Sequence, residues 1–233
     1  SEEARNLVNV TSLSVENYLK AILQISLQSG SEWISTGELA RYMNVAPGTV
    51  TSMLKTLKQS KLVEYRPYEG ASLTDAGKHS AIRVLRRHRL IELFLFQTLK
   101  LSWDQIHAEA ENMEHAVSDF LVDHIDEYLG FPETDPHGDP IPSIDGQMRR
   151  AYPNLTTLAA CPDGVNLRIV QVTDQEPEFL RFLSRTGLEI GSVGRVTEKN
   201  IEAGIVISEW SGQQISMGIH VAENMKVVPI PDN

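Results

Sequence analysis

Apart from one short segment in the first block, the spacing of the hydrophobic residues changes once along this 233-residue chain, and that change limits the folds open to it. As far as about Leu129, apolar residues recur at helical spacing, as Tyr18 and Ile22 do. From about residue 165 they form short runs separated by glycine, which is typical of strands in a small β-barrel. A stretch rich in Pro, Gly and Asp lies between the two regions, at 132–146. The sequence therefore predicts a mainly α chain with a small β domain.

The first block, to about residue 78, predicts three helices followed by a hairpin. Ser14 is expected to open the first helix and Thr36 to cap the second. The third helix is expected at 49–60, after turn residues, and residues 62–74 alternate around a glycine as a hairpin does. A helix, a tight turn, a second helix and a two-stranded wing form the order of a winged helix-turn-helix, whose reading helix enters the DNA major groove.

The reading helix begins with short polar residues that would let its backbone approach the bases, and nearby Lys and Arg would meet phosphates. Small three-helix units also serve as protein-interaction modules, so the pattern alone leaves that alternative open. The predicted DNA-binding residues are Pro47, Gly48, Thr49, Thr51, Ser52, Lys55 and Arg66.

The distribution of charge along the chain supports a DNA partner more strongly than the net charge does. The formal net charge of −10 would by itself argue against a nucleic-acid partner. Residues 1–90, however, carry 12 Lys and Arg against 8 Asp and Glu, whereas residues 91–233 carry 9 against 23. This asymmetry predicts a basic N-terminal module joined to an acidic remainder. Uneven placement of solvated surface charge is the alternative.

Several protein classes are excluded by composition. The longest apolar runs fall well short of the roughly 18 residues that a membrane span needs. The first residues carry neither the basic start nor the apolar core of a signal peptide. A single cysteine, Cys161, excludes an intramolecular disulfide framework and any multi-cysteine zinc site. We therefore expect a cytoplasmic protein with no membrane partner.

The second block is helical, with one long helix reaching about Leu99 and another running from Trp103 to Leu129, where Gly130 and Pro132 stop it. The third block contains short strands and a helical stretch near 178–186. The expected strands are 167–172, 192–197, 204–208 and 215–219. The predicted domains are 1–78 (winged helix-turn-helix), 79–146 (helical), 147–164 (linker) and 165–233 (β domain).

The second block also carries side chains suited to a metal. His88 and Glu92 lie one helical turn apart. The next predicted helix has apolar positions such as Ile106 and Leu121, so its polar stripe borders the core. A surface contact and a solvated acidic face are the simpler alternatives, and catalytic zinc lacks the required histidine spacing. Imidazoles and carboxylates together suit a divalent transition metal. The residues of the stripe are His107, Glu111, Glu114 and His115.

These motifs resemble the signature of the diphtheria toxin repressor family of iron- and manganese-dependent regulators. The similarity lies in HRLIE followed by IHAEAENMEHAVSD, in LSVENYLKAI near the start, and in TGELARYMNVAPGTVTSMLKTL. It continues through LTDAG after the wing and PHGDPIP in the linker, so it covers nearly the whole chain. The resemblance implies an N-terminal winged helix, a helical dimerisation domain and a tethered SH3-like (FeoA-like) barrel.

The resemblance also implies which residues bind metal. The primary site would comprise Asn17, Glu111, Glu114 and His115. A second site would comprise His88, Glu92 and His107. In some members the barrel adds ligands to that second site, and the matching positions are Gln175 and Glu178. Where three-domain manganese regulators have Cys and His before the end of the PHG loop, this chain has Asp135 and His137, which are further candidate ligands.

Two departures bear on the metal. Family members usually have Met (iron type) or Asp (manganese type) at position 17, whereas Asn17 offers only a neutral amide oxygen. Position 111 is Cys in iron-type members and Glu in manganese-type ones, and here it is Glu111. Since a hard carboxylate favours Mn²⁺ over the ions that a thiolate selects, we expect Mn²⁺ first and Fe²⁺ second, with other divalent transition metals able to substitute.

The predicted function is repression of metal-homeostasis genes by a homodimer that binds a double-stranded DNA operator when metal is bound. Without metal, clustered carboxylates would repel one another; a dication would remove the repulsion, hold the first helix through Asn17 and fix the spacing of two reading helices. An iron-responsive, zinc-responsive or metal-blind regulator on the same scaffold is the main alternative. A metal-dependent hydrolase lacks a nucleophile or base in suitable geometry, so no enzyme is expected. A metal buffer or interaction protein is the third alternative.

Overall fold

The computed structural model describes residues 2–231, with side chains described from Leu13 onward. The chain divides into two compact units. The first unit runs to Arg87 and also includes Pro142–Gln147. The second unit comprises His88–Ile141 and the chain from Met148 onward.

The first unit contains three helices, a hairpin and the start of a fourth helix. Its elements are α1 (Glu2–Ser29), α2 (Thr36–Met43), α3 (Pro47–Gln59), β1 (Val63–Arg66), β2 (Gly70–Leu73) and α4 (Asp75–Gln97). The prediction that Ser14 opens the first helix is wrong, because α1 already begins at Glu2. A serine favours the N-cap position but does not end a helix, and the preceding Glu-Glu-Ala-Arg favours helix. The aliphatic side chains of Leu19, Leu39 and Leu54 are fully buried.

A capping box sets the start of α2. The Ser35 hydroxyl accepts a hydrogen bond from the Glu38 backbone N–H at 3.2 Å, and the Glu38 carboxylate accepts one from the Ser35 backbone N–H at 3.0 Å. The cap is therefore Ser35, and the prediction of Thr36 is wrong by one residue. Helix α3 begins at Pro47, slightly earlier than expected, because proline is well suited to the first helical turn.

The predicted hairpin is confirmed. Strands β1 and β2 pair antiparallel, with Val63 opposite Leu73 and Arg66 opposite Gly70. Gly70 has a φ of 113°, and a Cβ there would lie 2.2 Å from the Ile34 carbonyl oxygen. Only glycine fits this position, since the wing approaches the segment that leads into α2.

The second unit contains the rest of α4, then α5 (Ile106–Met113) and α6 (Asp119–Tyr128). The prediction of one helix from Trp103 to Leu129 is wrong. The chain leaves the helix after α5, and the Ser118 hydroxyl caps α6 by accepting a hydrogen bond from the Leu121 N–H at 3.2 Å. Leu121, expected in the core, is 47% exposed. The stripe from 107 to 115 consequently does not lie on a single helix.

The same unit carries the β domain. Its elements are β3 (Thr156–Thr157), β4 (Leu167–Val172), α7 (Pro177–Thr186), β5 (Val193–Asn200), β6 (Ile205–Trp210), β7 (Gln213–Gly218), α8 (Ile219–Glu223) and β8 (Met225–Pro229). The strands form one antiparallel sheet in the order β3-β8-β4-β5-β6-β7. Leu180 and Leu183 of α7 pack with Ile169 and Val206 in its core. The sequence missed β3, α8 and β8, but the mainly α chain with a small β domain is confirmed.

None of the described helices is both long and apolar enough to cross a bilayer.

Candidate metal centre

Two histidines converge on one carboxylate oxygen of Glu92. His88 and Glu92 lie one turn apart on α4, and both side chains are buried. His88 Nε2 is 3.0 Å from Glu92 Oε1, and His107 Nδ1, from α5, is 3.1 Å from the same oxygen. The two imidazole rings meet edge to face, with centroids 4.9 Å apart. We call His88, Glu92 and His107 the helical group; each offers a donor atom within 4.8 Å of the others.

The other oxygen of Glu92 faces a second set of donors. His137 Nδ1 lies 3.6 Å from Glu92 Oε2, and Asp135 joins them within the same 4.8 Å limit. We call Glu92, Asp135 and His137 the loop group, since two of its members lie between α6 and β3. The indole of Trp103 stacks on the His137 ring at a centroid distance of 5.7 Å. Glu92 is therefore common to both groups.

Several buried polar atoms of the loop group have no hydrogen-bond partner among the described residues. These atoms are Glu92 Oε2, Asp135 Oδ2 and both ring nitrogens of His137. Burying such atoms without a hydrogen-bond partner costs folding free energy, and native proteins rarely contain them. A divalent cation accepts lone pairs from carboxylate oxygen and imidazole nitrogen alike. The donor set therefore fits a metal ion, which would satisfy these atoms together.

The ionisation of the loop group shows how closely its charges are placed. Burial would raise the pKa of Glu92, but the charge of His88 and a hydrogen bond from His107 hold that pKa well below its ordinary value. Burial, followed by the charges of Asp139 and Glu92, raises the pKa of Asp135 to about 8. The negative charge of one carboxylate makes ionisation of the other less favourable. Without a cation, the two carboxyl groups therefore resist being ionised at the same time.

Three of the four predicted primary-site residues lie next to the helical group. Glu114 is fully buried; its Oε2 is 2.6 Å from His88 Nδ1, and its Oε1 is 3.2 Å from His115 Nε2. Glu111 is exposed, with Oε1 3.6 Å from His107 Nε2. Asn17, the fourth, lies on α1 of the first compact unit. Its ligation together with the other three stays a prediction.

The ligation of Gln175 and Glu178, the two ligands predicted in the β domain, stays a prediction. Gln175 donates a hydrogen bond from Nε2 to Asp139 Oδ2 at 2.9 Å. Glu178 is exposed on α7. Asp139 and Trp103 were missed by the sequence analysis. The second Asp of the Asp-Pro-His-Gly-Asp run was a usable signal for Asp139, whereas nothing local marked Trp103.

The predicted DNA-contacting side chains lie at the start of α3 and on the wing. Pro47, Gly48, Thr49, Ser52 and Lys55 are exposed. Hydroxyl groups in this turn bond back to the helix: Thr51 donates to the Pro47 carbonyl at 3.0 Å and Ser52 to the Gly48 carbonyl at 3.1 Å. On the wing, Arg66 pairs with Glu69 at 3.0 Å and lies over the Trp33 ring. Their contact with DNA stays a prediction.

Three family models match the chain in succession. Residues 10–71 match the N-terminal DNA binding domain of iron dependent repressors. Residues 74–143 match the metal binding and dimerisation domain of the same repressors. Residues 156–229 match the FeoA domain.

The following three proteins of similar sequence are transcriptional regulators. A helix-turn-helix transcriptional regulator of Methanocaldococcus jannaschii is 36% identical over 114 residues, which cover 49% of this chain and 90% of the relative. The iron-dependent repressor IdeR of Mycobacterium leprae is 26% identical over 92% of this chain and 96% of its own. The diphtheria toxin repressor of Corynebacterium glutamicum is 28% identical over 96% of this chain and 97% of its own.

Solved structures give the same result. A manganese-dependent transcriptional repressor in complex with manganese is 36% identical, with a TM-score of 0.84, over 93% of this chain and 100% of the other. The repressor ScaR with bound Zn²⁺ is 31% identical, with a TM-score of 0.78, over 93% of this chain and 99% of the other. The named relatives and neighbours are transcriptional regulators and not enzymes, as predicted for this chain.

Proposed function

The chain belongs to the diphtheria toxin repressor family of metal-dependent transcriptional repressors, and on that premise we propose that Mn²⁺ is its activating ion, with Fe²⁺ second. The family binds DNA and carries a dimerisation domain. The proposal adds a homodimer that binds a double-stranded operator and represses genes of metal homeostasis, metal uptake above all.

The chemistry of the donors is the observation that carries the choice of manganese. Both groups consist of carboxylates and imidazoles. The one cysteine, Cys161, is buried in the β-domain core, where its thiol donates to the Leu158 carbonyl. Burial raises the pKa of that thiol, which disfavours a thiolate ligand. Carboxylate ligands suit Mn²⁺, whereas thiolates select softer ions. The similarity to the manganese-bound repressor supports the same choice.

The residues of the centre have separable roles in this proposal. Glu92 offers one oxygen to each group, so it joins them. Glu114 accepts a hydrogen bond from His88 Nδ1, which fixes the ring and presents Nε2 towards Glu92. A bound dication would supply the positive charge that offsets the clustered carboxylates. The metal-bound state would then be the one that binds DNA, and by linkage DNA would hold the metal more tightly.

A titration of DNA binding across metals tests the choice of ion. Fluorescence anisotropy would use a duplex selected from a random library in the presence of Mn²⁺, with Mn²⁺, Fe²⁺ (anaerobic), Co²⁺ and Zn²⁺ each at buffered free concentrations. We expect Mn²⁺ to give complete DNA binding, and Glu111→Ala to lose the metal dependence. Glu109→Ala, an exposed acid on the same helix, is the matched control.

The same titration separates the alternatives. Higher maximal DNA binding with Fe²⁺ or Zn²⁺ than with Mn²⁺ would identify an iron- or zinc-responsive regulator instead. Failure to select any duplex, with Mn²⁺ or with the other three ions, would favour a metal buffer or interaction protein. An unchanged metal response in Glu111→Ala would remove Glu111 from the regulatory site.

A further inference from the structure

The loop that carries Asp135 and His137 is docked on strand β4. The Val172 backbone N–H donates a hydrogen bond to the His137 carbonyl at 2.9 Å. At Gly138, which has a φ of 85°, a Cβ would lie 2.0 Å from the Val170 carbonyl oxygen. The loop therefore approaches β4 so closely that only glycine fits, and the backbone of His137 is bonded to the β domain directly.

Asp139 ties the same loop to two side chains of the β domain. Its carboxylate accepts hydrogen bonds from the amide of Gln171, on β4, and from the amide of Gln175, just after β4, the latter at 2.9 Å. Its backbone N–H donates to Asp135 Oδ1 at 2.9 Å, and its carbonyl accepts from the Asp135 N–H at 3.0 Å. A continuous set of hydrogen bonds thus leads from the two glutamines through Asp139 to Asp135.

Arg89 holds the loop from the side of α4. Its guanidinium donates to the Pro140 carbonyl, and it lies 3.9 Å from Asp135 Oδ2 and 4.0 Å from Asp139 Oδ1. The loop is therefore fixed between α4, which carries Glu92, and the β domain. The distance between Glu92 and the loop donors depends on both attachments.

We propose that Asp139 is a positioning residue through which Gln171 and Gln175 of the β domain set the geometry of the loop group. The β domain then acts on the metal by placing Asp135 and His137, and Gln175 acts as a hydrogen-bond donor to Asp139 instead of as a metal ligand. This inference rests on the proposed metal function of the loop group.

The two roles of Gln175 predict opposite effects for one substitution. Were Gln175 a ligand, Gln175→Glu would replace a neutral oxygen by a carboxylate and preserve or strengthen metal binding. If it donates to Asp139, the same change places two carboxylates against each other, at 2.9 Å in the present geometry, and displaces the loop. Asp139→Asn combined with Gln175→Glu should restore the bond, because the amide introduced at position 139 would donate to the carboxylate introduced at position 175. The exchange leaves the total charge unchanged.

The experiment measures Mn²⁺ binding by electron paramagnetic resonance of the free ion in the full chain. The binding step that His137→Ala removes identifies the loop group. We expect Gln175→Glu to weaken that step about tenfold or more, and the double variant to recover most of the loss. Gln213→Glu, at an exposed position of β7, controls for added charge in the β domain.

Hydrogen exchange of the Val172 amide in metal-free protein gives a second readout. That exchange should accelerate in Gln175→Glu and return towards the wild-type rate in the double variant. Unweakened Mn²⁺ binding and unchanged exchange in Gln175→Glu would overturn the proposal. If wild type shows no Mn²⁺ step that depends on His137, the proposed function fails at the loop group, and the exchange rates then decide the positioning role alone.

Discussion

Glu92 offers one carboxylate oxygen to each of the two donor groups. It is fully buried, and its two oxygens face different partners: His88 and His107 on one side, His137 on the other. A carboxylate buried in this way is stabilised by the imidazoles around it, and replacing it affects both groups at once. Substitution of Glu92 therefore distinguishes one metal centre that shares this residue from two independent metal sites.

Substituting Glu92 should remove metal binding from both groups. Glu92→Gln keeps the shape of the side chain but loses the negative charge and turns an amide N–H₂ towards imidazole nitrogens. We expect the number of Mn²⁺ ions bound per chain, measured by equilibrium dialysis, to fall at the helical and loop groups together. The circular dichroism spectrum should stay that of the folded wild type. Glu109→Gln should bind like wild type. Retention of the wild-type stoichiometry in Glu92→Gln would contradict the shared role.

The sequence predicted part of this centre, and its limits have a physical cause. His88 and Glu92 are four residues apart in one helix, so their proximity follows from helix geometry. Asp139 and Trp103 acquire their roles through β4 and the His137 ring, contacts that depend on the tertiary fold. No local spacing carries that information.

At the scale of elements, the start of α2 shows what a single cap does. Hydrogen bonds from the Ser35 side chain and backbone lower the pKa of Glu38. Because the folded-state pKa lies below the unfolded value, this contribution to stability is present above the unfolded pKa and is lost as the pH falls through the folded pKa. The capping box should therefore stabilise α2 at neutral pH and less in acid.

Ser35→Ala should destabilise the chain by about 1 kcal/mol at neutral pH. The loss should shrink as Glu38 becomes protonated, since its part of the capping box is then absent in wild type too. Urea unfolding at pH about 7 and about 3.5 measures the loss of unfolding free energy at each pH. Thr36→Ala is the matched control because Thr36 is the first helical residue. A larger loss in Thr36→Ala than in Ser35→Ala would contradict the cap.

The break between α5 and α6 is the element that sequence periodicity missed. Apolar residues continue at helical spacing through the break, so the period alone favours one helix. Ser118 offers the competing signal, since a serine hydroxyl that caps α6 begins a new helix there. The break takes His115 out of the helix and places its imidazole against Glu114, at a distance that the single-helix prediction did not contain.

At the scale of the whole molecule, the change of hydrophobic period predicted the fold class correctly. It could not predict how the chain is partitioned, because the compact units divide inside α4, after Arg87, and the first unit regains Pro142–Gln147 from a later part of the sequence. The predicted domain boundaries assumed consecutive segments and stay a prediction. The charge asymmetry belongs to this scale too: the basic residues 1–90 contain the winged helix-turn-helix, and the acidic remainder contains all the donors of the helical and loop groups except His88.

Metal bound by this chain should switch on its affinity for DNA, and the proposed repressor function depends on that coupling. The decisive measurement is anisotropy of the Mn²⁺-selected duplex, titrated with the full chain in Mn²⁺ and again after thorough chelation. We predict tight binding with Mn²⁺, a large loss after chelation, and recovery when Mn²⁺ is restored. Equal binding before and after chelation would contradict metal-dependent repression.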